Sequence, residues 1–189
     1  MIYDRFEDIP RMRYGLIVAD PPWLFRNWSK KGERKNPTSH YACHPVSEIL
    51  KWRVDHLAAP DCLLWLWATN PMLPQAIQLL EAWGFTFATA GHWVKRTVNG
   101  HLQFGTGYRL RSAGEPFLIG TIGNPKTARN VRSVVDARVR EHSRKPDEAY
   151  AAAEALVPGV WMLDLFSRQE RPGWDAFGDQ VGKFERESA

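Results

Sequence analysis

The stretch that decides the fold is Gly15-Leu16-Ile17-Val18-Ala19-Asp20-Pro21-Pro22-Trp23. Leu16 to Ala19 form a short continuous apolar run with the composition of a buried strand. Pro21 and Pro22 lack the backbone donor that a sheet ladder needs, so the chain must leave the sheet there. Asp20 is therefore expected at the carboxyl end of a strand. In open α/β sheets ligands bind at that edge. Two prolines alone would signal no more than an ordinary turn. An acid, two prolines and a tryptophan ending a buried strand are a more specific combination.

Outward from this stretch, apolar runs alternate with helical periodicity. Strands are expected over residues 62–68, 85–95 (as one or two strands), 115–121, 134–135 and 160–166. Helices are expected over 46–57, 73–83 and from about 147 to 156, the last with Pro146 early and Asp147 and Glu148 in a first turn where the helix dipole favours acids. This alternation predicts an α/β fold of Rossmann type, with a mostly parallel central sheet flanked by helices. No Gly-x-Gly-x-x-Gly occurs, which gives a nicotinamide dinucleotide site little support.

Between these elements lie two basic loops. Residues 24–40 carry Lys30, Lys31, Arg34 and Lys35 with little periodicity, and Tyr41 follows. Residues 97–111 carry Gly100, Gly105, Gly107, Arg109 and Arg111. The first reads either as a solvated charged loop or as a phosphate-contacting lid over the edge that holds Asp20, and the second as a further loop on that same edge whose basic residues would meet phosphates. A further basic cluster, Arg138, Arg140, His142, Arg144 and Lys145, abuts the start of the last helix.

With 189 residues, 44% hydrophobic and 24% charged, the chain suits one compact domain with a sizeable core. Its net charge of +4 permits an anionic partner. Cys43 and Cys62 show neither metal spacing nor a disulfide framework, so no metal site is expected and a reducing cytoplasm is the default. No apolar run is long enough to span a bilayer and the amino terminus has no signal-peptide pattern, so no membrane association is expected. Nine tryptophans are many for this length; most suit a core, and some suit base stacking.

Asp20-Pro21-Pro22-Trp23 resembles the signature of S-adenosylmethionine-dependent amino-group methyltransferases. Several further segments, in order along the chain, resemble the MT-A70 family of N6-adenine methyltransferases. These are Glu115 with its strand and Gly123-Asn124-Pro125, then His142-Ser143-Arg144-Lys145-Pro146-Asp147-Glu148, then Leu165-Phe166-Ser167-Arg168, Pro172-Gly173-Trp174 and Gly178-Asp179-Gln180. The resemblance implies a single catalytic domain over residues 1–189 that methylates the N6 amine of adenine in DNA. Catalytic residues would be Asp20, Pro21, Pro22 and Trp23. The carboxylate and the first proline's carbonyl would hold the amine, and the tryptophan would shape the base pocket. Lys145 would neutralise the carboxylate of the cofactor's methionine part. Arg168, Asp179 and Gln180 would bind its ribose region, with Asp20 also at the cofactor. Tyr41, Lys30, Lys31, Arg34, Lys35, Arg109 and Arg144 would contact nucleic acid.

Asp179 stands where better-known eukaryotic members have asparagine, and Gln169-Glu170 replaces a longer segment, which touches the ribose contacts rather than Asp20 or Lys145. The short chain looks like a minimal bacterial or phage form, acting as a homodimer or heterodimer. The alternatives are the same reaction on RNA, or a non-catalytic nucleic-acid-binding subunit. Such a subunit would be expected to have lost the acid or the lysine, and both are present.

Overall fold

The computed structural model describes residues 1–23, 44–107, 109–141 and 144–184. Lys30, Lys31, Arg34, Lys35 and Tyr41 lie outside the described residues, and with them the expectation of a lid over 24–40.

The strands are β1 (Ile2–Tyr3), β2 (Tyr14–Ala19), β3 (Ala58–Trp67), β4 (Thr86–Arg96), β5 (Gly114–Ile122), β6 (Val134–Arg138), β7 (Met162–Leu165) and β8 (Trp174–Phe177). They form one sheet in the order β1-β8-β7-β2-β3-β5-β4-β6. Every neighbouring pair is parallel except those made by β5, which runs antiparallel to both β3 and β4. The Rossmann-like expectation holds. The reversed strand has a consequence for the site: its first residues, not its last, reach the edge where the parallel strands end.

Among the described residues three α-helices cover the sheet: α1 (Val46–Ile49), α2 (Leu73–Ala82) and α3 (Asp147–Leu156). The pleat of β2 alternates between the two faces. Ile17 and Ala19 join Leu64, Leu66 and Leu118 in a core completed by Ile49, Ala76, Leu79, Leu80 and Trp83, on the side of α1 and α2. Leu16 and Val18 point the other way, into a core with Leu63, Trp65, Trp67, Trp93 and Phe117, closed by Ala149, Tyr150 and Ala153 of α3. Because both faces are covered, β2 is buried at all six positions, which is why it reads as a continuous apolar run rather than an alternating one. Gly91 of β4 lies so close to Phe117 that any Cβ would collide with its ring, which itself stacks on Trp65 at a centroid distance of 3.9 Å.

Two expectations over secondary structure are corrected. The helix expected over 46–57 stops at Ile49, and a separate 3-10 turn covers Val54–His56. Between them Arg53 has ψ of 65°, which is not helical. The break lets Trp52 turn inward onto Phe6 at 4.9 Å, Phe166 at 5.1 Å and Phe177 at 5.7 Å between centroids. Burying this ring among three others outweighs the small gain from extending the helix. The second correction is β8, which the sequence reading leaves as a connection. Its four residues carry an aspartate in the middle, yet all four are buried. Asp175 is tolerated there because Tyr14 Oη donates to its Oδ2 at 2.7 Å, and that partner comes from a strand 161 residues away.

Candidate active site

β2 makes its last ladder contact where Asp20 N–H donates to the carbonyl of Leu165 at 3.3 Å. The chain then leaves the sheet. The Pro21 carbonyl accepts from Trp23 N–H at 2.8 Å, and the Pro22 carbonyl accepts from His44 N–H at 2.9 Å. A carbonyl oxygen has two lone pairs, so that of Pro21 keeps one for a ligand. Trp23 is turned into the core behind the motif, only 4% exposed. It therefore shapes the site from behind rather than offering a free stacking face.

Parallel strands end at one edge, and this gathers residues far apart in sequence. Asp20 follows β2, Lys95 is near the end of β4, Lys145 follows β6, Arg168 follows β7, and Asp179 and Gln180 follow β8. Glu115 reaches the same edge because β5 runs the opposite way.

On one side of Asp20 stands a chain of four charges. Lys145 Nζ lies 2.8 Å from Asp20 Oδ2 and 2.9 Å from Glu115 Oε1. Lys95 Nζ lies 2.8 Å from Glu115 Oε2. Two cations and two anions alternate, so the cluster is neutral overall. It is also enclosed: the side chains of Lys145, Glu115 and Asp20 are 7%, 12% and 24% exposed. The Lys145 ammonium sits 5.3 Å from the centroid of the Trp67 ring, a further favourable contact for a cation. Burial pushes the Lys145 pKa down, but Asp20 and Glu115 outweigh it and hold the ammonium above the usual lysine range. Burial pushes Glu115 up, but Lys145 and Lys95 together hold its carboxyl at about 2. Asp20 is different: burial, helped by the Glu115 charge, raises it above the usual carboxylate range against the pull of Lys145 and Arg168. The acid that ends β2 is thus the readiest of these carboxylates to take a proton.

On the other side of Asp20 a cleft opens, lined by Pro22, His44, Trp52, Phe166, Phe177 and the segments at Ser167-Arg168 and Asp179-Gln180. Two backbone features build it. Phe166 adopts a left-handed φ of 64°, unfavourable for a side chain with a Cβ and a mark of a sharply directed turn. Gly178 passes so close to the backbone of Ser167 that a Cβ would collide with it. This contact lays the loop after β8 against the loop after β7, where Arg168 Nε donates to Gln180 Oε1 at 3.0 Å.

Ser167, which lines the cleft, is tied to a buried carboxylate: Asp164 accepts from Ser167 Oγ at 2.7 Å and from Tyr150 Oη at 3.0 Å. Burial raises its carboxyl to about 6 despite both donors. Arg171 lies over the Tyr150 ring, 3.5 Å from its centroid, and pairs with Asp147 at 2.6 Å.

The structure therefore brings Asp20, Pro21, Pro22, Lys145, Arg168, Asp179 and Gln180 to one edge. Arg144 is engaged within the fold: its Nε donates to Gln169 Oε1 at 2.7 Å, and its Nη1 is 3.1 Å from Glu141. Arg109 lies in the exposed loop between β4 and β5. Of the charge cluster, Lys95 had no role expected from the sequence, and Glu115 entered only as part of a family motif, with no role assigned. The available signal was that each is charged and sits at the boundary of an apolar strand, as Asp20 does.

The MT-A70 family model matches residues 14–180, from β2 through Gln180. The chain belongs to the MT-A70 family. Among its relatives is the type II methyltransferase M.MunI of a Mycoplasma species, 29% identical over 93% of this chain and 81% of that protein. An Arabidopsis thaliana N(6)-adenosine-methyltransferase MT-A70-like protein is 33% identical over 89% of this chain but only 24% of its own length. Human N(6)-adenine-specific methyltransferase METTL4 is 29% identical over 93% of this chain and 39% of its own. The chain is thus an enzyme of the methyltransferase class, and it spans most of the Mycoplasma relative but well under half of the other two. Among the described residues no helix is long and apolar enough to cross a membrane.

Proposed function

We propose that the chain transfers a methyl group from S-adenosylmethionine to the N6 amine of adenine in DNA. The observation that carries this reading is the position of Asp20, between a buried lysine and a cleft edged by Arg168, Asp179 and Gln180. The residues fit the cofactor. Lys145 is a buried cation for the carboxylate of its methionine part. The carboxylate of Asp179 and the carboxamide of Gln180 suit ribose hydroxyls, with Arg168 bonded to Gln180. When bound, the cofactor supplies an electrophilic methyl on a sulfonium.

The protein's own work is on the amine. The adenine N6 lone pair is delocalised into the ring and is a poor nucleophile. Asp20 and the Pro21 carbonyl can accept its two hydrogens, which favours the tetrahedral nitrogen that forms a new bond. A hydrogen bond to a charged group is worth roughly 1.5–3 kcal/mol, and more where the acceptor is fixed in advance. The two prolines and the ladder contact of Asp20 N–H supply that fixing. After transfer the methylated amine sheds a proton, and the raised pKa of Asp20 suits it to receive that proton at a carboxylate oxygen.

DNA is favoured because a relative of which this chain spans 81% is a type II methyltransferase. RNA is the second reading, favoured by the identity to the N(6)-adenosine-methyltransferase MT-A70-like protein. Methyl transfer from labelled S-adenosylmethionine to matched DNA and RNA oligonucleotides, followed by nucleoside mass spectrometry, separates them. N6-methyladenine in DNA alone is the expected product. Product in RNA alone keeps the chemistry and replaces the substrate.

A further inference from the structure

Lys95 is too far along the charge chain to serve Asp20 directly, yet the chain is built so that it matters. Its ammonium holds Oε2 of Glu115, while Oε1 of the same carboxylate holds Lys145. Lys145 is thereby shared between Glu115 and Asp20, at 2.9 and 2.8 Å. A lysine paired with Asp20 alone would occupy the carboxylate that the amine needs. A lysine with a second fixed anion can give up Asp20 and still remain paired.

We propose that Lys95 is a positioning residue for the cofactor: through Glu115 it holds Lys145 where the ammonium can move from Asp20 to the carboxylate of S-adenosylmethionine. The inference rests on the cofactor reading given above and adds to it a residue that never touches the ligand. The exchange breaks one ion pair and makes another, and Glu115 stays bonded to Lys145 throughout. Lys95 also keeps the four-membered cluster neutral. Its own position is steadied by the Trp93 ring, whose centroid lies 4.5 Å from Nζ.

The test uses two ligands that differ in the group Lys145 would hold. S-adenosylhomocysteine has the amino-acid carboxylate; methylthioadenosine has the same nucleoside and a sulfur but no carboxylate. Calorimetric affinities of both are compared for the full chain and for Lys95→Met, Lys95→Arg, Glu115→Gln and the Lys95→Met/Glu115→Gln double variant, with circular dichroism to confirm folding. Lys95→Met is expected to bind S-adenosylhomocysteine about 10-fold more weakly, because Lys145 is no longer held for a charge-assisted bond to the carboxylate, and methylthioadenosine unchanged. Lys95→Arg should restore most of the affinity. The double variant should be no worse than Glu115→Gln, because both substitutions cut the same path. Wild-type affinity for S-adenosylhomocysteine in Lys95→Met overturns the proposal. So does an equal loss of both ligands, which marks a purely structural role, and so do additive losses, which mark a direct contact. If the unmodified chain binds neither ligand, the cofactor reading itself fails and the role of Lys95 falls with it.

Discussion

The two sides of Asp20 are built by opposite means. On one side, Lys145, Glu115 and Lys95 hold each other by charge, and every member of the chain has an ionic partner within 2.9 Å. On the other, Trp52, Phe166 and Phe177 line a cleft held by ring packing, a left-handed turn and a glycine contact. The charged side is preorganised electrostatically, with its ion pairs closed on one another. The aromatic side is preorganised sterically, by ring packing and close backbone contacts. Asp20 belongs to both, which suits a group that meets cofactor and substrate together.

The largest expected effect removes the residue the two sides share. Asp20→Ala should lower the rate of methyl transfer by on the order of 100-fold or more, while affinity for the cofactor falls much less. An unchanged single-turnover rate would take Asp20 out of the chemistry.

Lys145→Met breaks the charged side only. Asp20 and Glu115 are then left facing each other without the cation between them. Removing one partner of a buried ion pair costs about 3 kcal/mol, so the melting temperature should drop along with cofactor affinity. Denaturant titration and calorimetry on the same variant check both, and full stability would show that the two carboxylates do not depend on the lysine.

Asp164→Asn probes, through pH, the carboxylate that holds Ser167 of the cleft wall. Burial raises Asp164 from its ordinary 3.8 to about 6, so the folded chain binds this proton more tightly than the unfolded chain does. Ionised Asp164 therefore penalises the fold above about pH 6, and the penalty disappears as pH falls towards 4. Ser167, Tyr150, Arg171 and Asp20 are the groups that act on it. Relative to Asp164→Asn, the wild-type chain should gain roughly 2–3 kcal/mol between pH 8 and pH 4, measured as the difference between the two stability curves. Parallel curves would place the titration elsewhere.

The smallest effect lies outside both sides. Arg109→Ala should leave cofactor affinity alone and reduce the salt dependence of nucleic-acid binding by about 0.7–0.9 in the log–log slope, the contribution of one phosphate contact. An unaltered slope would leave the loop between β4 and β5 without a role in binding.

Legibility in the sequence tracked how local each signal was. Buried strands such as β2, β3 and β5 were readable because burial on both faces leaves an unbroken apolar run. Helix α2 was readable from its periodicity, and α3 from the proline and acids at its first turn. The helix expected over 46–57 was not legible correctly, because the inward turn of Trp52 depends on Phe6, Phe166 and Phe177. β8 was invisible because its central aspartate makes sense only beside Tyr14.

Asp20 and its two prolines were likewise evident from the residues themselves, whereas Lys145, Arg168 and Gln180 were singled out by the family resemblance. The reason is that leaving a sheet, starting a helix and turning a chain are local acts with local signatures. What only the tertiary structure decided is which of those residues meet. Glu115 faces Lys145, 30 positions away, because one strand runs against all the others and carries its first residues to the edge where its neighbours end. Lys95 joins them through strand pairing. Sequence spacing cannot encode that meeting, since it depends on strand order and direction, which are set by how the whole sheet packs between its helices.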